Sequence, residues 1–289
     1  MNSQAGIARY MQQQRQATRP QIAGAMGLSL VSTNAAVAAL VKKGVLSAGE
    51  TLPSGGGRPV QVYRFNPGHA VVALFSAEAE AHCTRLHYEL LDLYGQKIEE
   101  KQARFVQLHA ESLDEWLDAT ARHHRLQRIC LPPGLGSIVT GHLHQRYNCN
   151  VHELYTAEAL AGRQEETLTL LLQQGHAPQG AMHRHGSTTP CPLLHLLPLP
   201  HEWETLDYSD HTLVEEMLAR LLQLLTCTLT PRHICLYADF WNDRLISRIN
   251  FNLSTKLRGL SAPPHLHYTA ITAEKVSSQL HQAAVRLLY

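Results

Sequence analysis

The sequence predicts an α/β protein with a winged helix-turn-helix domain over residues 1–68 and a larger α/β domain over 69–289. Three observations carry this: short amphipathic segments followed by two strand-like runs fill the first 65 residues, strand-like and helical runs alternate after residue 70, and positive charge gathers at the start of the chain. Of the 289 residues, 44% are hydrophobic and 17% charged, the balance of a globular chain long enough for two cores. The net charge of +1 conceals a split, because residues 1–68 hold seven basic side chains (Arg9, Arg15, Arg19, Lys42, Lys43, Arg58, Arg64) against one acid, Glu50. That segment carries +6, which leaves −5 for the remainder. Local positive potential is what attraction to nucleic-acid phosphates requires. No apolar run reaches the ~18 residues of a membrane helix, and no apolar stretch follows a basic start, so a cytoplasmic protein with no membrane partner is expected.

The elements of the first part follow in order. Ile7, Tyr10 and Met11 fall at helical spacing in residues 4–15. Thr18-Arg19-Pro20-Gln21 reads as a capping box with proline in the first turn, so a helix starts near Arg19, carries Ile22 and Met26 inward and stops at Gly27. Ser29 caps a third helix, Leu30 to Lys43, with Val37, Leu40 and Val41 as its inward stripe and Gly44 as its stop. Ala23 is small where the two helices cross, and Leu28 is expected beneath the turn. Val45-Leu46-Ser47 reads as a strand, 53–59 as a glycine-rich loop, and Val60, Val62 and Phe65 as a second strand.

In such a domain the first turn of the third helix enters the major groove. Leu30, Ser32, Thr33 and Asn34 are the base-contact candidates: Asn34 for adenine, Leu30 for a thymine methyl, Ser32 and Thr33 for bases or phosphates. Thr18 and Ser29, at the helix starts, are further DNA-contact candidates, and Arg19, Lys42 and Lys43 are candidates for phosphate, with solvated charge the alternative for each lysine. Gly56, Gly57 and Arg58 form a slim basic tip suited to a narrow A·T-rich minor groove.

Beyond residue 70, strand-like runs occur at 70–76, 83–92, 127–131, 167–172 and 233–238, and helical patterns at 112–124, 135–146, 210–228, 242–258 and 272–288. Leu213-Met217-Leu221-Leu224 and Val276-Leu280-Ala284-Leu287 form apolar stripes that suit a core or a dimer seam. The six cysteines, Cys83, Cys130, Cys149, Cys191, Cys227 and Cys235, form no CxxC pair and read as reduced core residues. Nineteen histidines include the alternating pairs His142/His144, His183/His185 and His265/His267, but no second ligand pair has a recognisable spacing, so no metal is expected. The segment 190–203 has no functional reading beyond a bridge.

Thr18 to Ala23, Gly27-Leu28-Ser29, Leu40 to Gly44 and above all Gly56-Gly57-Arg58-Pro59 resemble the DNA-binding head of the ROK family, which groups bacterial sugar-responsive repressors with sugar kinases. Asp92-Leu93-Tyr94-Gly95, Leu131-Pro132-Pro133-Gly134 and 147–161 are similar to segments of its body. The resemblance implies a two-lobed, actin-like body, here shortened and degenerate. Phe75 to Ala79 stands where the family's Asp-x-Gly-x-Thr phosphate loop belongs, Leu154-Tyr155 where its Asn-Asp pair belongs, and 174–180 where its second glycine loop belongs. Without a carboxylate base a sugar hydroxyl is a poor nucleophile. Glu153 and Glu158 read as solvated helix-end charges. His195 matches the family's histidine zinc ligand, but the cysteine cluster that should follow is absent.

The expected protein is a sequence-specific regulator of double-stranded DNA, most simply a repressor, without enzymatic activity, cofactor or zinc. One short recognition helix carries little specificity, so a homodimer or higher homo-oligomer is expected. The body would serve assembly, a protein partner or a different small-molecule effector; the alternative is a repressor that still binds a sugar or sugar phosphate in the cleft between the lobes.

Overall fold

Caps and turns shape the first 45 residues. The computed structural model describes residues 3–53, 59–79, 82–107, 109, 111–133, 136–173, 178–191, 203, 205–258 and 263–286. Helix α1 (Ser3–Gln14) is followed by a short strand β1 (Gln16–Thr18), α2 (Arg19–Met26) and α3 (Leu30–Lys42). Strands β2 (Leu46–Leu52) and β3 (Val60–Phe65) pair antiparallel, and β1 adds to β3 to give the order β1-β3-β2. The three-residue β1 has no periodicity to announce it, so sequence reading misses it. Ile7, Met11, Ile22, Val37, Leu40, Val45, Val62 and Phe65 are buried between the helices and this sheet.

The chain divides into two compact units, Met1–Glu153 with His281–Tyr289, and Leu154–Leu280. By compactness the division falls after Glu153, and residues 1–68 lie within the first unit. Within the first unit the N-terminal segment is tied to the following sheet. The Gln12 side-chain amide donates to Leu93 O (2.8 Å) and Val285 O (3.2 Å), Leu93 N–H donates to Pro67 O (3.0 Å), and the Phe65 ring lies 5.8 Å from that of Tyr94.

That sheet contains β4 (Val71–Ala79), β5 (Thr84–Leu91), β6 (Lys97–Phe105), β7 (Leu126–Leu131) and β8 (Asn150–Glu153), in the order β6-β5-β4-β7-β8. Its first three strands are antiparallel and its last two join in parallel across α4 (Glu111–His123) and α5 (Gly136–Tyr147), as crossover helices require. Phe75, Leu86, Tyr88, Leu113, Leu117, Ile129 and Leu143 form its core.

In the second unit, α6 (Thr156–Leu160) precedes β9 (Thr167–Leu171), β10 (Gln179–Arg184), β11 (Ser187–Pro190), α7 (His211–Leu229), β12 (His233–Ala238), α8 (Asp243–Lys256) and β13 (His265–Ala270). The order β11-β10-β9-β12-β13 repeats the first sheet's plan, three antiparallel strands and then two parallel ones. The buried face of α7 runs through Val214, Leu218, Leu221, Leu222 and Leu225, while Leu213 and Leu224 of the stripe read as core or dimer seam are 44% and 41% exposed. A helix with leucine on nearly every side leaves its phase undetermined by sequence. The last helix, α9 (Ala273–Val285), buries Val276 and Ala284 as expected, and Leu287 lies outside the described residues. Trp203 and Cys191 are buried in the second core; 192–202 lies outside the described residues.

Candidate nucleic-acid interface

Helix α2 begins where the capping chemistry places it. Thr18 N–H donates to Gln21 Oε1 (2.8 Å) and Gln21 N–H to Thr18 Oγ1 (3.4 Å), satisfying two backbone donors at once. At the other end Gly27 takes φ 64°, a left-handed conformation that costs glycine nothing, and its N–H points back to Ala23 O and Gly24 O. The chain turns through 114° between α2 and α3. Ser29 then caps α3, its Oγ accepting from Ser32 N–H (3.1 Å) and lying 3.0 Å from Ser32 Oγ.

The two faces of α3 separate the candidates. Thr33, Ala36, Val37 and Leu40 are buried, so the inward stripe includes Thr33 and leaves Val41 half-buried. Thr33 is a correction: it is fully buried one turn ahead of Val37, and its hydroxyl reaches no outside group. Thr18, 8% exposed with its hydroxyl in the cap, is likewise spent on the fold. Leu30, Ser32, Asn34 and Lys42 are exposed. Lys43 donates to Gln4 Oε1 (2.9 Å), and the half-buried Arg19 lays its guanidinium over the Tyr63 ring at 5.0 Å. Sequence reading missed Val31, which is 80% exposed beside Leu30 at 54%. Its signal was present: Val31 precedes Leu40 by nine positions, roughly half a turn out of phase with the buried face.

Strands β2 and β3 diverge from simple pairing at a bulge between Ala48 and Thr51, where the Gln61 amide donates to Gly49 O (2.6 Å). Glu50 is ion-paired to Arg64 at 2.8 Å, so the one acid of this segment neutralises one of its cations. Gly56, Gly57 and Arg58 lie outside the described residues.

The positions expected to have lost kinase chemistry are in ordered elements. Phe75 and Ser76 pair with Tyr88 and His87 within β4 and β5, and the ladder runs on to Ala79 opposite Thr84 without a turn. Leu154 is buried, and Tyr155 begins α6 without a side-chain cap bond. The stretch 174–177 lies outside the described residues. Glu158 corrects its reading as a solvated charge: it is half-buried, and burial pushes its carboxyl above the usual range.

Histidines take several roles. His183 is buried with Nδ1 2.8 Å from Thr188 Oγ1, and His142 Nε2 lies 3.0 Å from Asp114 Oδ2. His233 stacks on His265 and His267 across β12 and β13, with His233 Nδ1 3.3 Å from His267 Nε2. Among the described residues no three donors converge as metal ligands, and His195 is outside them. Cys130, Cys149 and Cys191 are buried, whereas Cys227 is exposed.

A solved ROK family transcriptional regulator, a homolog of the E. coli MLC protein, superposes with a TM-score of 0.60 at 11% identity over 99% of this chain and 97% of its own. This chain has the fold of that ROK regulator. A ROK family protein from Streptococcus pneumoniae in complex with sucrose, and a ROK hexokinase from Thermus thermophilus, give TM-scores of 0.47 and 0.46 at 13% identity. They cover 75% and 74% of this chain and 98% and 97% of their own. No family model matches the sequence, and no curated protein does. In this ROK fold the two five-stranded sheets are the mixed α/β body. No single described helix is long and apolar enough to cross a membrane.

Proposed function

We propose that this chain is a ROK family transcriptional regulator, a cytoplasmic repressor that reads double-stranded DNA as a homodimer or higher homo-oligomer. The observation that carries the reading is the exposed first turn of α3, held at 114° to α2 by a glycine turn on a basic segment. Residues 1–68 act as a winged helix-turn-helix: α3 enters the major groove, and β2 and β3 carry the wing.

Leu30 and Val31 present methyl groups suited to thymine, and Asn34 offers an amide suited to adenine N6 and N7. Lys42 contacts phosphate, and Arg58 on the wing reads a narrow minor groove. The absence of a phosphate loop and a sugar-facing base at the positions described above supports a body that senses or assembles and does not phosphorylate.

The test is selection of genomic DNA fragments by the purified full chain, repeated with Asn34→Ala and Arg58→Ala. The expected result is a palindromic motif enriched by the wild type and weakened by both substitutions. Enrichment without a motif, or a motif indifferent to Asn34, contradicts the reading.

A further inference from the structure

The seam where the N-terminal helices meet the first sheet holds a cavity of about 240 Å³. Its floor is apolar, with Ala8 fully buried, Leu40 3% and Val45 4% exposed. Its rim is polar and cationic: Gln4 and Lys43 from α1 and the end of α3, and His69, Arg125 and Gln127 from the sheet side. A larger neighbouring cavity of about 730 Å³ shares Arg125 and Gln127 and adds His124, Asn148 and Asn150. Among the described residues no carboxylate lines either cavity.

Arg125 is exposed and has no ion-pair or hydrogen-bond partner for its guanidinium among the described residues. Its field reaches the seam. His69 is held below its usual pKa first by burial, against a bond to the Asn66 backbone, and then by repulsion from Arg125. An apolar floor with a few converging polar groups is the composition of small-molecule sites, and a cavity lined by both a guanidinium and an ammonium selects anions.

We infer that this seam binds a small anionic effector, a phosphate ester or a carboxylate, whose charge is held by Arg125 and Lys43 and whose apolar part rests on Ala8, Leu40 and Val45. Lys43 directly follows α3 and is bonded to Gln4, so an anion that recruits Lys43 competes with a bond between the first and third helices. A ligand favours whichever arrangement of the two sides it bridges best, and the shift equals its differential affinity. The effect on DNA rests on the function proposed above; the anion site itself does not.

The test titrates the full chain with inorganic phosphate and, separately, citrate, against chloride at equal ionic strength, following heat of binding and the unfolding midpoint. The wild type is expected to bind one of the two anions and to be stabilised by it. Arg125→Gln should weaken that binding about tenfold or more, the scale of one charge-assisted contact. Phosphate against citrate identifies the headgroup. Equal binding by the variant, or no binding of either anion by the wild type, overturns the site. In the DNA arm, Arg125→Gln is expected to bind DNA normally without the anion and to lose the anion's effect on DNA affinity. Anion binding lost in the variant with no anion effect on wild-type DNA affinity overturns the coupling alone. No DNA binding under any condition overturns the proposed function while the anion titration still decides the site.

Discussion

The first turn of α3 is open to water while the surface where α4 meets α5 is half-buried around Asp114, and the two use their polar groups in opposite ways. On α4 and α5 the groups are spent on one another: Arg146 Nη2 lies 2.7 Å from Asp118 Oδ2, and His142 Nε2 3.0 Å from Asp114 Oδ2. Tyr147 Oη is 2.8 Å from Asp118 Oδ1 and 3.0 Å from Asp114 Oδ1. The bond from Arg146 holds the Asp118 carboxyl below its usual range. On α3 the Asn34 amide and the Lys42 ammonium have no partner among the described residues, and Leu30 and Val31 lie open beside them. A network that satisfies itself gains little from a ligand, while a face with vacant donors and bare methyl groups gains from any surface that pairs them.

Stability and DNA affinity are therefore expected to follow different residues. The largest expected loss of stability is from Leu40→Ala, on the buried side of α3, which should cost about 2–5 kcal/mol by urea unfolding. Next, Asp114→Ala strips His142 of its acceptor and Tyr147 of one of its two, leaving Asp118, and should cost about 1–3 kcal/mol, with DNA affinity unchanged at equal folded fraction. A loss of DNA affinity without a loss of stability in Asp114→Ala would break the comparison. Thr18→Ala should cost about 0.5–2 kcal/mol through the lost cap; weakened DNA binding at full stability would restore Thr18 as a contact.

The smallest expected effect is on pH dependence. Glu89 is held below the usual carboxylate range chiefly by its hydrogen bond from His281 (2.9 Å). A carboxyl whose pKa is lower in the folded state stabilises above the unfolded value, about 4.3, and that stability is lost as pH falls through the folded value. Glu89→Gln should therefore flatten the acid limb of a stability profile below about pH 4.3, and an unchanged limb would contradict the assignment.

Much of the N-terminal segment is legible because caps and glycines fix it locally: Thr18 to Gln21, Gly27, Ser29 and Gly44 each mark a boundary the chain obeys. What escapes is phase and long-range pairing. Thr33 looks polar in sequence but takes a buried position on the stripe of Val37 and Leu40, while the apolar Val31 faces out. In the body, β4, β5, β7, β9 and β12 are readable from apolar runs. Strand β6, Lys-Ile-Glu-Glu-Lys-Gln-Ala-Arg-Phe, is not, because it forms a sheet edge with little buried on either face. Strand β13 interleaves histidines at an edge of the second sheet and hides in the same way. The repeated plan of the two sheets is invisible for the same reason, since its edge strands carry no common pattern.

DNA reading by α3 is tested by an equilibrium titration of the full chain and of Asn34→Ala onto the selected DNA site and a shuffled one, at two salt concentrations. The wild type is expected to prefer the selected site at both salts, and Asn34→Ala to lose about 1–3 kcal/mol of that preference while unfolding at the wild-type temperature. An undiminished preference in Asn34→Ala would contradict that expectation, because the exposed turn of α3 would then not be the surface that reads DNA.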